Sequence, residues 1–229
     1  MKLLSSHSVE ASSLTRRYGY RVALKKVNIT FPMEGIHGLF GANGAGKTTF
    51  LRIIATLLRP HGGNVKVMGY DPIEESIMVC EQIGLVGDKN LLYNELTGYE
   101  NLEFYAGLYG MKKSQLEKNS NELSEIFDIK NWIHEPVKIL STGLRKRVDI
   151  IRALLHEPNL LLLDEPFSGL DRDTSDVFKQ FLEENRNSRA VVLTTHNLQM
   201  GTELCDSFVT LRKGEVLSSG AASEFDGIL

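Results

Sequence analysis

The sequence predicts an α/β fold, with a parallel sheet wound around a phosphate-binding loop, an antiparallel β subdomain and a helical subdomain insertion. Three observations carry this. Gly41-Ala42-Asn43-Gly44-Ala45-Gly46-Lys47-Thr48 stands between an apolar run, Ile36 to Phe40, and a helical pattern from Thr49 to Leu58. Two further apolar runs, Asn159 to Leu163 and Ala190 to Thr195, deliver Asp164-Glu165 and His196 at their ends. Between the loop and these runs, from Leu91 to about Leu140, the pattern turns helical and polar on one side.

The glycines are there because the backbone must wrap closely round a phosphate with its N–H groups pointing inward. Ala42, Asn43 and Ala45 are small enough to permit that approach. Lys47 supplies a point charge to the β/γ-phosphates, Thr48 a hydroxyl to Mg²⁺, and the helix N-terminus its dipole.

Length and composition set the frame. With 229 residues, 42% hydrophobic and 24% charged, the chain suits one globular unit with a substantial core. A formal net charge of -3 gives no electrostatic footprint for nucleic acid. Cys80 and Cys205 lack metal-ligand spacing and read as reduced core thiols, with no disulfide. No apolar run reaches spanning length, and Met1 to Glu10 lacks the basic-then-apolar order of a signal peptide, so a soluble chain is expected.

In chain order, Val9 to Phe31 reads as antiparallel β-structure with a turn at Arg16 to Gly19. Tyr18 is read in two ways, as a ring that stacks on a purine or as a half-exposed tyrosine packed on the sheet. Phe50, Leu51, Ile53, Ile54, Leu57 and Leu58 fall at helical spacing, with Arg59-Pro60 as the stop. Gly62 to Asn64 is a turn, Val65 to Met68 a strand, and Ile83 to Gly87 a further strand ending at Asp88. Thr97 to Glu100 and Ser114 to Glu117 read as capping boxes, each opening a helix of the insertion, the first closed by Gly110. Ser141 is a natural N-cap for a helix burying Leu144, Val148, Ile151 and Leu155; with Gly143 it is either an ordinary cap or a second anion site.

The run Asn159 to Leu163 is expected for a central strand buried on both faces. Side chains diverge at its end, so Asp164 can hold Mg²⁺ while Glu165 polarises an attacking water. A helix follows over Asp173 to Glu184. His196 is either a structural hydrogen-bonding group or, at the C-terminal edge of a parallel sheet, a site residue. Phe208 to Leu217 reads as a closing hairpin.

Taken in this order, the motifs resemble the ATP-binding-cassette (ABC) family of P-loop NTPases along nearly the whole chain. The resemblance implies a single ATP-binding domain over 1–229, in which 1–88 holds the β subdomain and the first half of the nucleotide core, 89–140 the helical subdomain, and 141–229 the second half. It implies ATP and Mg²⁺ as cofactors. Tyr18 looks like the adenine-stacking aromatic, Gly41, Ala42, Asn43, Gly44, Ala45, Gly46, Lys47, Thr48 and Thr49 the nucleotide loop, and Leu140 to Leu144 the family signature. Leu160 to Glu165 is similar to the strand that carries the metal-binding aspartate and catalytic glutamate, Ser168 to Asp171 to the D-loop, and His196 to the switch histidine. Thr48, Asp164 and Asp88 are then metal contacts, Lys47, Glu165 and His196 the catalytic set, and Ser141 and Gly143 phosphate contacts from a second cassette. Two positions depart from the pattern: Thr142 and Leu144 replace a glycine and a glutamine of the signature, and Asp88 stands where the family has glutamine. The resemblance also implies a head-to-tail dimer, a separate integral-membrane permease, and a cytoplasmic place on the inner face of the membrane. Thr56 to Pro60 and Leu92 to Tyr105 look similar to exporter cassettes, especially the haem exporter subunit of cytochrome c maturation, with drug, lipid or polysaccharide exporters as the alternative. A non-transport cassette ATPase is the other class considered.

Overall fold

The structure, a computed structural model, describes residues 6–87, 89–196, 198–225 and 227. Two sheets organise it. Strands β1 (His7–Tyr18), β2 (Arg21–Pro32) and β4 (Gly62–Val67) form an antiparallel sheet in the order β2-β1-β4. Strands β3 (Gly35–Phe40), β5 (Ile83–Val86), β6 (Leu160–Asp164), β7 (Ala190–Thr194), β8 (Ser207–Arg212) and β9 (Glu215–Ala221) form the larger sheet, ordered β5-β6-β7-β3-β8-β9. Its pairs are parallel except the β8–β9 hairpin, so the sheet is mixed rather than purely parallel.

Both faces of that sheet are covered, which explains its unbroken apolar runs. Successive side chains point to opposite faces. Leu161, Leu163, Val191 and Leu193 accordingly join one core with the helices α3 (Gly98–Leu108), α4 (Lys113–Ile126), α5 (Thr142–Leu154) and α6 (Arg172–Glu184). Leu160, Leu162, Ala190 and Val192 join the other, with α1 (Lys47–Ile54) and the antiparallel sheet. All of β6 and β7 is buried. Two short helices, α2 (Ser76–Gln82) and α7 (Leu198–Leu204), complete the set.

Several local expectations hold. Thr97 caps α3 by a reciprocal pair, its hydroxyl accepting from Glu100 N at 3.0 Å while Glu100 accepts from Thr97 N at 2.7 Å. Ser141 caps α5, accepting from Leu144 N. Others need correction. The first hairpin turns at Gly19-Tyr20, and Arg16 to Tyr18 remain in β1, because Tyr18 still pairs with Arg21. Helix α1 stops at Ile54, not at Pro60; Ala55 caps it and Thr56 takes a left-handed φ of 65° that no helix can continue. Ser114 lies inside α4, whose cap is Lys112, so the second capping box is absent. Helix α2 was not expected from the pattern. Cys205 is buried, whereas Cys80 is exposed. Among the described residues no helix is long and apolar enough to cross a membrane.

Candidate active site

The phosphate loop leaves β3 and feeds α1, and its backbone excludes side chains at two positions. Gly41 has φ 146°, and a Cβ there would lie 2.3 Å from Leu211 O; Gly46 has φ 121°, and its Cβ would meet Ala23 O at 2.7 Å. Lys47 enters from the first turn of α1 and is only 7% exposed. Its Nζ donates to Gly41 O at 2.7 Å and to Ala42 O at 3.3 Å, closing the loop on itself. Burial pushes its pKa down, while the Glu165 and Asp164 carboxylates pull it back up.

Those acids arrive from β6. Asp164 is its last residue and is buried. Thr194, at the same level of β7, donates from Oγ1 to Asp164 Oδ1 at 2.6 Å and accepts from Glu165 N at 3.1 Å. One hydroxyl therefore fixes both acids. Glu165 leaves the strand in a left-handed conformation, φ 48°, which re-aims its side chain. Its Oε2 lies 2.8 Å from His196 Nδ1 and accepts from His196 N at 3.3 Å. The histidine is 73% exposed.

A cleft of 440 Å³ gathers Tyr18, Asn43, Gly44, Gly46, Lys47, Thr48, Thr49, Asp164 and Glu165 along one wall or another. Arg21, Ala23 and Arg52 also line it, and Arg21 Nη2 donates to Gly44 O at 3.3 Å. Gly41, Ala42 and Ala45 form the loop without lining the cleft, and His196 reaches it only through Glu165. Ser141 and Gly143 lie apart, at the start of α5, facing the turn that holds Gly169. Asp88 lies outside the described residues. Sequence reasoning missed Thr194, Arg21 and Arg52; only a polar residue closing an apolar strand signalled the first.

The turn after Glu165 is tied to α5. Asp171 caps α6, accepting from Thr174 N at 2.8 Å, and its other oxygen accepts from Arg147 Nη2 at 2.8 Å. The Thr174 hydrogen bonds, helped by Arg147, hold its carboxyl well below the usual carboxylate range. Arg147 also donates to Phe127 O and Asp128 O, at the end of α4.

The residues present fit a nucleotide with a hard cation. The glycine cradle has space only for backbone, and Thr48 and Asp164 offer oxygen ligands of the kind Mg²⁺ takes alongside phosphates. Among the described residues no cluster of three or more His, Cys, Asp or Glu side chains forms a cage that would hold a metal alone.

A phosphate loop facing two acids at the end of a buried parallel strand defines a P-loop nucleotide hydrolase. The chain belongs to the ABC transporter family, whose profile matches residues 24–168, and is one of its ATP-hydrolysing cassettes. It is 36% identical over 201 residues to the ABC transporter ATP-binding protein NatA of Bacillus subtilis, covering 87% of this chain and 82% of that protein. With the daunorubicin resistance ATP-binding protein DrrA3 of Streptomyces coeruleorubidus it shares 34% over 222 residues, covering 96% and 70%. Among solved structures it is similar to the dimeric post-hydrolysis state of the ATP-binding cassette MJ0796 bound to ADP and Pi, with TM-score 0.85, 25% identity and coverage of 95% and 100%.

Proposed function

We propose that this cassette binds Mg-ATP in the cleft between Tyr18 and the phosphate loop, hydrolyses it with Glu165, and drives export through a separate membrane permease. The single observation that carries this reading is the convergence of Lys47, Thr48, Asp164 and Glu165 on one cleft. Loop amides and Lys47 hold the phosphates, and Tyr18 takes the base. Mg²⁺, held by Thr48 and Asp164, would neutralise charge developing on the transferred phosphoryl group. Asp88 would offer a further oxygen to metal and water. Glu165 accepts a proton from the attacking water as it adds to the γ-phosphorus and the bond to the bridging β-phosphate oxygen breaks, releasing ADP and phosphate, and His196 steadies that carboxylate and the γ-phosphate.

Ser141 and Gly143 do not line their own cleft, which supports their use by a second copy. In that arrangement each nucleotide lies between one chain's phosphate loop and the other's α5. The helical stretch 89–140 is read as the subdomain that a permease addresses, because exposed apolar side chains collect there and nearby: Leu57, Leu91, Tyr93 and Phe104. Tyr93 and Phe104 pack edge to face at 5.0 Å, and Leu57 and Leu91 line one cavity. Crosslinkers placed from Asn90 to Tyr99 should capture the permease; capture from the opposite face alone would refute this docking. The membrane partner gives the chain its peripheral cytoplasmic place.

For cargo, the haem expectation yields to its alternative, a drug-like molecule. DrrA3 is named for daunorubicin resistance, and that name supports the change. The test is to capture tagged Glu165→Gln protein with Mg-ATP from solubilised native membranes and identify what co-purifies. A multi-span protein without a haem absorption band is the expected result. A haem band would restore the haem reading, and ribosomal or DNA-bound proteins with no membrane partner would overturn transport altogether.

A further inference from the structure

Tyr18 lines the cleft and also meets a cation that does not: the Arg16 guanidinium lies 5.0 Å from its ring centroid. Arg16 is two residues earlier on β1 and does not line the cleft that Tyr18 lines. It is also held in place. Its Nη1 donates to Arg59 O at 2.7 Å and lies 3.4 Å from His61 Nδ1. His61 is itself pinned, its N donating to Thr15 O at 2.7 Å and its Nδ1 accepting from Arg17 N at 3.3 Å. Arg16 Nε is buried and has no hydrogen-bond partner, so the planar group is positioned by its Nη1 bonds and by the ring.

We propose that Arg16 is a positioning residue for the nucleotide base: it backs the Tyr18 ring by a cation–π contact and fixes it as a platform at a set distance from the phosphate loop. The proposal rests on Tyr18 carrying the base. Arg59 and His61 belong to the segment that follows α1, the helix that begins with Lys47. Base platform and phosphate cradle are thereby joined through one helix and one guanidinium. A tyrosine that is 44% exposed near a hairpin turn would otherwise sample several rotamers, and the base would have to order it on binding.

The test compares two ligands of the full chain by calorimetric titration: Mg-ATP, which has a base, and Mg-tripolyphosphate, which has none. Arg16→Met should weaken Mg-ATP by about fivefold, the size of one cation–π contact, and leave Mg-tripolyphosphate unchanged. Arg16→Lys should recover part of the loss. Equal weakening of both ligands would make Arg16 a merely structural residue and overturn the proposal. Unchanged Mg-ATP affinity in Arg16→Met, alongside a loss specific to Mg-ATP in Tyr18→Ala, would also overturn it while leaving Tyr18 as the base platform. No loss in Tyr18→Ala would remove the base platform itself, and the role of Arg16 with it.

Discussion

At the scale of single residues, the site turns on Glu165 and the hydroxyl that holds it. Glu165→Gln keeps the shape of the side chain and removes the proton acceptor, so phosphate release should fall by about a hundredfold or more while ATP binding persists. Near-normal turnover would remove Glu165 from the proposed role. Thr194→Val is the subtler change. It deletes the donor to Asp164 Oδ1 and the acceptor for Glu165 N together, in a site where a buried unpaired group costs about 1–3 kcal/mol. Steady-state phosphate release should drop about tenfold with little change in ATP affinity; wild-type turnover would mean that the two acids are placed without it. The two acids were legible in the sequence because carboxylates at the end of an unbroken apolar run are out of place unless they serve a site. Thr194 was not, since threonine is an ordinary strand residue and its partner is 30 positions away. Arg16 was legible only as part of a turn, and it proved to be strand.

Among elements, the contact of the start of β5 with the segments after α3 and α5 carries a pH response. His156 follows α5, stacks on Tyr109 at 3.7 Å between centroids, and lies 3.0 Å from Ile83 O through Nε2. Nδ1 is buried without a partner. Burial pushes the pKa of this ring down to about 4 from 6.5, against the opposing pull of the Ile83 carbonyl. The unfolded chain therefore binds the proton first. Stability from this group is complete above about pH 6.5 and drains as pH falls towards 4, by about 2–3 kcal/mol in all. Urea midpoints measured from pH 7.5 to 4.5 should fall less steeply in His156→Gln than in wild type. Identical slopes would show that the ring does not titrate as the packing demands. Such a pairing joins elements more than seventy residues apart, and no periodicity announces it. Helix starts were readable at the caps Thr97 and Ser141, but not at Asp171, whose cap bond to Thr174 N lay hidden in what reads as a turn. Helix ends were less so: α1 stops at a left-handed Thr56 because tertiary packing, not the later proline, sets its length.

For the whole molecule, the proposed function requires two copies to meet across their nucleotides. Glu165→Gln with Mg-ATP should elute as a dimer in light-scattering chromatography and as a monomer without nucleotide; a nucleotide-independent state would argue against ATP as the adhesive. Leu162→Ala, at a fully buried site between β5 and β7, should cost about 3 kcal/mol of stability, read as a lowered urea midpoint. A loss under about 1 kcal/mol would mean that the core beneath the sheet can collapse to fill the space. The α/β class was legible from apolar runs, the phosphate loop and helical patterns together; the mixed sheet was legible only in its closing hairpin. The division of β6 and β7 between two cores also bears on how such a chain diversifies. A strand with one wet face leaves alternate positions open to drift, but these two leave none, since their apolar side chains pack into a core on one side of the sheet or the other and their last residues, Asp164 and Thr194, are bound to each other in the site. Change is then tolerated best at the periphery, on hairpin tips and helix surfaces, while the two strands that present the acids and the threonine stay fixed.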